Sequence, residues 1–164
     1  MVAVKSSGKA VLTLPTDTEI LITREFNAPK HLVYKAWTTP ELIKRWWHAK
    51  RGTATLAEVD LRVGGKWRWV MVTDDGFEVA FHGEYLEIVP NERIVSSEFY
   101  EGAPAESEGS VNTLTFTEVK GRTHVELRMQ LKSKEERDAI IDSGMEAGLQ
   151  DALDLLEEVA ISLA

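Results

Sequence analysis

The sequence predicts an α+β fold in which one curved antiparallel sheet packs against a long C-terminal helix. From Thr53 onward the apolar residues recur with period two for about eighty residues. Each break in that pattern is a short turn signal, so neighbouring strands are joined locally and form a meander. Beyond Ser133 the period changes to that of a helix, and an apolar helical stripe has only the sheet as a large partner.

The first expected strand covers residues 19–26, with Ile20, Ile22, Arg24 and Phe26 on one face and Leu21, Thr23 and Glu25 on the other. Asn27-Ala28-Pro29 ends it. Pro29 suits the first turn of a helix, and Leu32, Val33, Ala36 and Trp37 place a short amphipathic helix over 30–38. Thr39-Pro40 restarts a second short helix, with Thr39 as its cap and Leu42, Ile43, Trp46 and Trp47 on the inner side.

Strands follow at 53–59, 66–73, 77–89, 93–100, 110–118 and 122–131. Their separators are Gly64-Gly65, Asp74-Asp75-Gly76, Pro90-Asn91-Glu92, the acidic loop 101–109 and Lys120-Gly121. The segment from Asp60 to Trp69 is the most distinctive, a charged turn broken by two glycines that opens into a strand carrying Trp67, Trp69 and Met71 on one face. In the tail, Ser133 and Glu136 have capping-box spacing. After Gly144, the positions Met145, Leu149, Ala152, Leu156, Val159 and Leu163 form one stripe, expected to belong to a single long helix.

A chain of 164 residues buries enough surface to fold without staples. With no cysteine there is no disulfide framework, no thiolate nucleophile and no cysteine metal site. The start carries no apolar run long enough for a signal sequence or a membrane span, so a soluble, cytoplasmic protein is expected. The net charge of -8 is concentrated in residues 133–164, which hold 9 acids against 2 bases. That distribution argues against nucleic acid, whose binding needs a basic footprint. The basic residues Lys44, Arg45, Lys50 and Arg51 around Trp46-Trp47-His48 read as a solvated rim.

His31, His48, His82 and His124 lie on separate elements without ligand spacing, so neither a metal nor another cofactor is expected. No G-x-S-x-G elbow is present, and Gly64-Gly65 lacks the context of a phosphate loop. Three residues are weak catalytic candidates. Arg62 shares a face with Asp60 and reads first as an ion pair pinning the Gly64-Gly65 turn. His82 and Glu84 share a face and have acid/base chemistry, but Val79, Phe81 and Tyr85 occupy the opposite and more apolar face, so the pair is expected to point outward unless a bulge at Gly83 switches the parity. Gly144-x-x-x-Gly148 is set among Asp142, Glu146 and Gln150, which forbids a membrane role. It reads instead as room, for close approach of the helix to the sheet or for a ligand beneath Met145.

Several ordered motifs together resemble a known superfamily. These are Arg24-Glu25-Phe26-Asn27-Ala28-Pro29, Val33-Tyr34-Lys35-Ala36-Trp37-Thr38, Trp46-Trp47, Asp60-Leu61-Arg62-x-Gly64-Gly65-x-Trp67, Gly83-x-Tyr85-x-Glu87-Ile88-x-Pro90-x-x-Arg93, and Gly144-Met145-x-x-Gly148. The pattern is similar to the START-like SRPBCC superfamily, and within it to the branch named after the C-terminal domain of the activator of the heat shock protein 90 ATPase. The resemblance runs from about residue 12 to the end. It implies a helix-grip fold, a curved antiparallel sheet around the long helix with an internal cavity. The family pattern has Trp after the second helix glycine where this chain has Leu149, which lightens one wall.

On this resemblance residues 1–164 form a single domain, with 1–17 as a partly flexible N-terminal arm. Trp37 and Trp46 are expected to fill the core. The expected cavity lining on the sheet and its approach is Trp47, Trp67, Trp69, Met71, Phe81, Tyr85, Phe99 and Met129, and on the helix Met145 and Leu149. The leading functional expectation is binding of a small apolar or amphipathic ligand without covalent chemistry. The alternatives are a cyclase-like enzyme acting on an enolisable aromatic or polyketide substrate through Arg62, His82 or Glu84, and a co-chaperone-like or stress-response interaction module. A homodimer is compatible with each.

Overall fold

The computed structural model describes residues 9–104 and 107–164. Eight strands form one sheet: β1 (Val11–Thr13), β2 (Glu19–Phe26), β3 (Gly52–Val59), β4 (Lys66–Thr73), β5 (Glu78–Val89), β6 (Arg93–Tyr100), β7 (Ser110–Val119) and β8 (Arg122–Gln130). The helices are α1 (Lys30–Thr38), α2 (Pro40–Trp46), α3 (Lys134–Asp142) and α4 (Met145–Ser162). The spatial order is β1-β2-β8-β7-β6-β5-β4-β3. From β3 to β8 consecutive strands are neighbours, the expected meander, and β2 joins the sheet on the far side of β8.

The alternation of residues sets the two faces. In β2 every second residue is buried, and Ile20, Ile22 and Phe26 define the inner face. Register breaks between Ala54 and Leu56 and between Tyr85 and Glu87 insert bulges, which bend β3 and β5 and so curl the sheet. Gly64, Gly76 and Gly121 take positive φ at three of the turns, a conformation a side chain would resist.

Inside the curl lie Ala152, Leu153, Leu156, Val159 and Ala160 of α4, all buried. The helix-grip fold is therefore realised, with α1 and α2 packed beside α4. Arg24 fastens the two layers. Its guanidinium, fully buried on the inner face of β2, meets Asp154 at 2.7 Å and Glu157 at 2.9 Å. Glu157 also accepts a 2.8 Å bond from the backbone N–H of Asn27, so α4 is tied to the strand and to the turn that follows it.

Some elements differ from the sequence reading. Within the expected N-terminal arm, residues 1–8 lie outside the described residues, while 11–13 form β1, paired with Leu21–Thr23 of β2. The C-terminal helical region is two helices, because Gly144 adopts φ 83° between α3 and α4. Ser133 caps α3 by accepting a 3.1 Å bond from the Glu136 N–H, but the Thr39 side chain makes no such bond at the start of α2. A Cβ at Gly144 or Gly148 would meet nothing within 4 Å, so neither glycine is there to let α4 touch the sheet. Open space beside them is what the structure contains.

Candidate functional site: the inner face of the sheet

Cross-strand register arranges the inner face in rows. Ile22, Leu127, Leu114, Ile94 and Ile88 form an apolar row through the middle. The next row runs Ile20, Met129, Asn112, Ser96 and Tyr85, and turns polar at its centre. Beyond it, Ser110 pairs with Glu98, and the register continuing from the 82–99 and 85–96 pairs sets Glu98 against Gly83, which in turn pairs with Trp67. Trp69 and Phe81 are paired in the last row, with Tyr100 beyond them.

Among the residues expected to line a cavity, Trp67, Trp69, Met71, Phe81, Tyr85 and Met129 share this inner face. Trp67, Met71, Tyr85 and Met129 are buried, although Met71 lies apart from the main core cluster. Trp47, just after α2, places its ring 5.7 Å from Trp69 and 5.9 Å from Phe81, both edge-on. Met145 and Leu149 are partly buried and pack on the core from α4. Phe99 does not belong to this set. It pairs with His82 and stacks on its ring at 5.4 Å, which puts it on the outer face. Trp37 and Trp46 lie in the core as expected, and the Trp46 indole donates a 2.9 Å bond to the Ala36 carbonyl.

Several inward-facing apolar groups keep partial exposure although they sit in the interior of the fold: Leu127 at the centre of β8, Trp69, Phe81, Ile140, Met145 and Leu149. A close-packed interior would hide them. These partly exposed apolar side chains come from β4, β5, β8 and the two C-terminal helices. Among the described residues, two indole N–H groups, those of Trp67 and Trp69, are buried with no hydrogen-bond partner. Leaving such a donor unsatisfied costs about 1–3 kcal/mol, so an unpaired one calls for an explanation.

Sequence reasoning passed over Glu98. It lies on the inner face, where its carboxylate accepts a 3.0 Å bond from the Asn112 amide, whose own oxygen accepts a 2.8 Å bond from Ser110. Desolvation pushes the Glu98 carboxyl up to about 7, against the opposing pull of the Asn112 bond. Burial likewise raises the Tyr85 phenol, with nearby Tyr34 adding to it.

The three weak catalytic candidates are outside this space. Arg62 is 76% exposed and pairs with Asp60 at 2.9 Å, the turn-pinning contact expected from the spacing. Glu84 faces Lys66 on the surface at 3.8 Å. His82 is 49% exposed and lies 3.0 Å from Glu101, which also takes two bonds from Arg68 at 2.8 and 2.9 Å. The bulge in β5 falls after Tyr85, too late to turn His82 inward. The Arg68 and His82 bonds hold the Glu101 carboxyl down at about 2. A second outer-face feature is a depression of about 390 Å³ by the β7–β8 hairpin, among Glu25, Thr117, Arg122 and His124. Among the described residues no three histidine, cysteine or acidic side chains are grouped to hold a metal ion. Among the described residues, no helix is long and apolar enough to cross a membrane.

A curved antiparallel sheet gripping a C-terminal helix, with aromatic side chains on its inner face, defines a helix-grip protein of the START-like SRPBCC class. Residues 27–160 match the family described as Activator of Hsp90 ATPase homolog 1-like protein, and the chain belongs to that family. Solved structures agree. A protein of Rhodobacter sphaeroides is similar at 23% identity and TM-score 0.86, over 95% of this chain and 100% of that one. One from Mycobacterium smegmatis is 24% identical with TM-score 0.82, covering 92% and 96%. An AHSA1-like protein of Aeromonas hydrophila is 22% identical with TM-score 0.65, covering 87% and 93%. These likenesses establish the fold. Among curated proteins none matches the chain.

Proposed function

We propose that this protein binds a small apolar or amphipathic molecule between the inner face of the sheet and the α3–α4 elbow, and does so without covalent chemistry. The observation that carries this reading is the partial exposure of inward apolar groups, Leu127, Trp69, Phe81, Met145 and Leu149, in an otherwise close-packed interior. An aromatic wall of Trp47, Trp69 and Phe81 with a methionine opposite suits a greasy ligand of variable shape. The polar groups of Arg62, His82 and Glu84 play no part in it, since they face away.

Native mass spectrometry of freshly purified protein tests the proposal, because a co-purified ligand appears as a discrete added mass. In parallel, an environment-sensitive naphthalene dye or a fatty acid should change tryptophan emission saturably, with affinity around the micromolar range expected for about 10–15 buried heavy atoms. Flat titrations across a broad panel, with the fold shown intact by circular dichroism, would overturn the reading in favour of a protein-interaction module.

A further inference from the structure

On the opposite side of the sheet from the aromatic wall, the β7–β8 hairpin borders a depression of about 390 Å³. The hairpin turn is two residues long, and Lys120 and Gly121 both take positive φ, 53° and 78°. Register then fixes the wall. Thr117 stands opposite His124, which stands opposite Glu25, and Val119 stands opposite Arg122 one row nearer the turn. They share the outer face because period two alternates them with the buried Phe116, Val125 and Phe26. Lys120 lines the depression from the turn. Among the described residues, the side chains of Thr117, Lys120 and His124 form no hydrogen bond or ion pair, and the Thr117 hydroxyl and His124 ring nitrogens are not sealed from solvent. Arg122 meets Glu25 at 3.2 Å through Nη2 without hydrogen-bond geometry; its Nε and Nη2 are turned in from solvent, and its unpartnered Nη1 is not. Lys120 and Arg122 outweigh Glu25 by one positive charge in this lining, and His124 adds another when protonated, in a chain whose net charge is -8.

We propose that this depression binds the phosphate group of a small molecule, as the free ion or as a monoester. The choice of ligand follows from donor and acceptor counting. The Lys120 ammonium, the Arg122 Nη1, the His124 imidazole and the Thr117 hydroxyl can all donate, so the guest must be rich in acceptors. A cation is opposed by the local charge. A carboxylate brings two oxygens and a single charge, which leaves part of the wall unanswered. A phosphate monoester brings three terminal oxygens and a charge of about -1.5 to -2, which matches the donors and the excess positive charge together. The volume exceeds that of a phosphate ion, and Val119, 64% exposed at the rim, gives the body of an ester an apolar surface to lie on. The site is on the face opposite the apolar binding proposed above, and neither depends on the other.

The test is a nuclear magnetic resonance titration of the isotope-labelled chain, near neutral pH and at low salt, with inorganic phosphate, phenyl phosphate, benzoate and benzylammonium. Phenyl phosphate should saturate with a Kd of about 0.1–1 mM, at least about threefold below that of benzoate. The amides that shift should cluster along the β7–β8 hairpin and the end of β2. Arg122→Gln and Lys120→Gln should each weaken binding by about three- to tenfold, whereas Glu25→Gln, which removes the opposing charge, should tighten it by about two- to fivefold. Effects of opposite sign separate recognition of charge from loss of structure, and either cation variant serves if the other does not fold. Both phosphates support the proposal: tighter binding of phenyl phosphate assigns a monoester, and binding of inorganic phosphate at least as tight assigns the free ion. Benzoate binding as tightly as both, saturable binding of benzylammonium, or shifts scattered away from the hairpin overturns the proposal. So does a Kd unaltered in all three variants, or no saturation by either phosphate below about 20 mM.

Discussion

The indole nitrogen of Trp67 lies directly over Gly83, 2.7 Å from where a side chain on that residue would begin. The same added carbon would meet the Ser97 carbonyl oxygen at 1.9 Å, a contact no rotamer relieves. Gly83 is thus required by the close passage of backbone and indole.

Gly83→Ala should therefore destabilise the protein by about 1–3 kcal/mol, the usual cost of forcing an extra carbon into packed structure. Urea denaturation monitored by tryptophan emission measures it. A change within 0.5 kcal/mol, taken as roughly the scatter of a neutral surface substitution, would show that β5 and β6 part easily at this point.

Glu157→Ala should cost about 2–4 kcal/mol, because it strips one partner from the buried Arg24 guanidinium and an acceptor from the Asn27 N–H. Asp154, which is more exposed, should cost less when changed to Ala. The two losses should not add, since both carboxylates serve one cation. A double-mutant cycle by chemical denaturation reads the coupling directly.

The pH dependence of stability has opposite signs in two windows. Glu98 binds its proton more tightly folded than unfolded, so between its ordinary value of 4.5 and about 7 the native state holds more protons and stability falls as pH rises. Glu101 is the reverse. Its carboxyl is held down at about 2, so the stabilisation it provides is lost as pH falls from 4.5 toward 2. Glu98→Gln should flatten the first window and leave the second, as followed by melting temperature from pH 2 to 9.

Gly148 shares the inward stripe of α4 with Ala152 and Leu156, and a Cβ there meets nothing within 4 Å. Gly148→Leu should be neutral or stabilising by up to about 1 kcal/mol through helix propensity, while weakening dye binding several-fold by filling the space. The contrasting change Gly144→Leu should destabilise by about 1–2 kcal/mol, because φ 83° is a left-handed conformation that a side chain resists. A Gly148→Leu protein that binds the naphthalene dye as well as wild type would remove the elbow from the proposed site.

Met145→Asp and Trp69→Ala test the walls on either side. The first sets a charge against the ligand's tail and the second removes wall area, so each should weaken binding of the apolar probe by at least tenfold, worth about 1.4 kcal/mol. His82→Ala, changing an outer-face residue, should leave affinity unaltered. Fluorescence titration decides all three.

Strand positions were legible because period-two alternation and glycine turns act over a few residues, and the strand from Lys66 to Thr73 begins and ends where its pattern does. The inward placement of Trp67, Trp69 and Phe81 was legible for the same reason. β1 was not, because three residues carry no periodicity and gain their structure only from the open edge of β2. Phe99 was assigned to the wrong face because β6 reads Ile94-Val95-Ser96-Ser97-Glu98-Phe99-Tyr100, with apolar groups in both parities. The tie is broken by pairing, Phe99 with outward His82 and Glu98 with inward Ser110.

Local pattern by itself determined the strands from β2 to β8, their order and the family, since each depends on residues near one another in the chain. Only the tertiary structure decided that the Trp67 indole lies over Gly83, that Asn112 holds Glu98, and that Arg24 meets Asp154 and Glu157. Those neighbours belong to different strands or lie more than a hundred residues apart, and their meeting depends on register, bulges and the sheet's curl, which no single segment encodes.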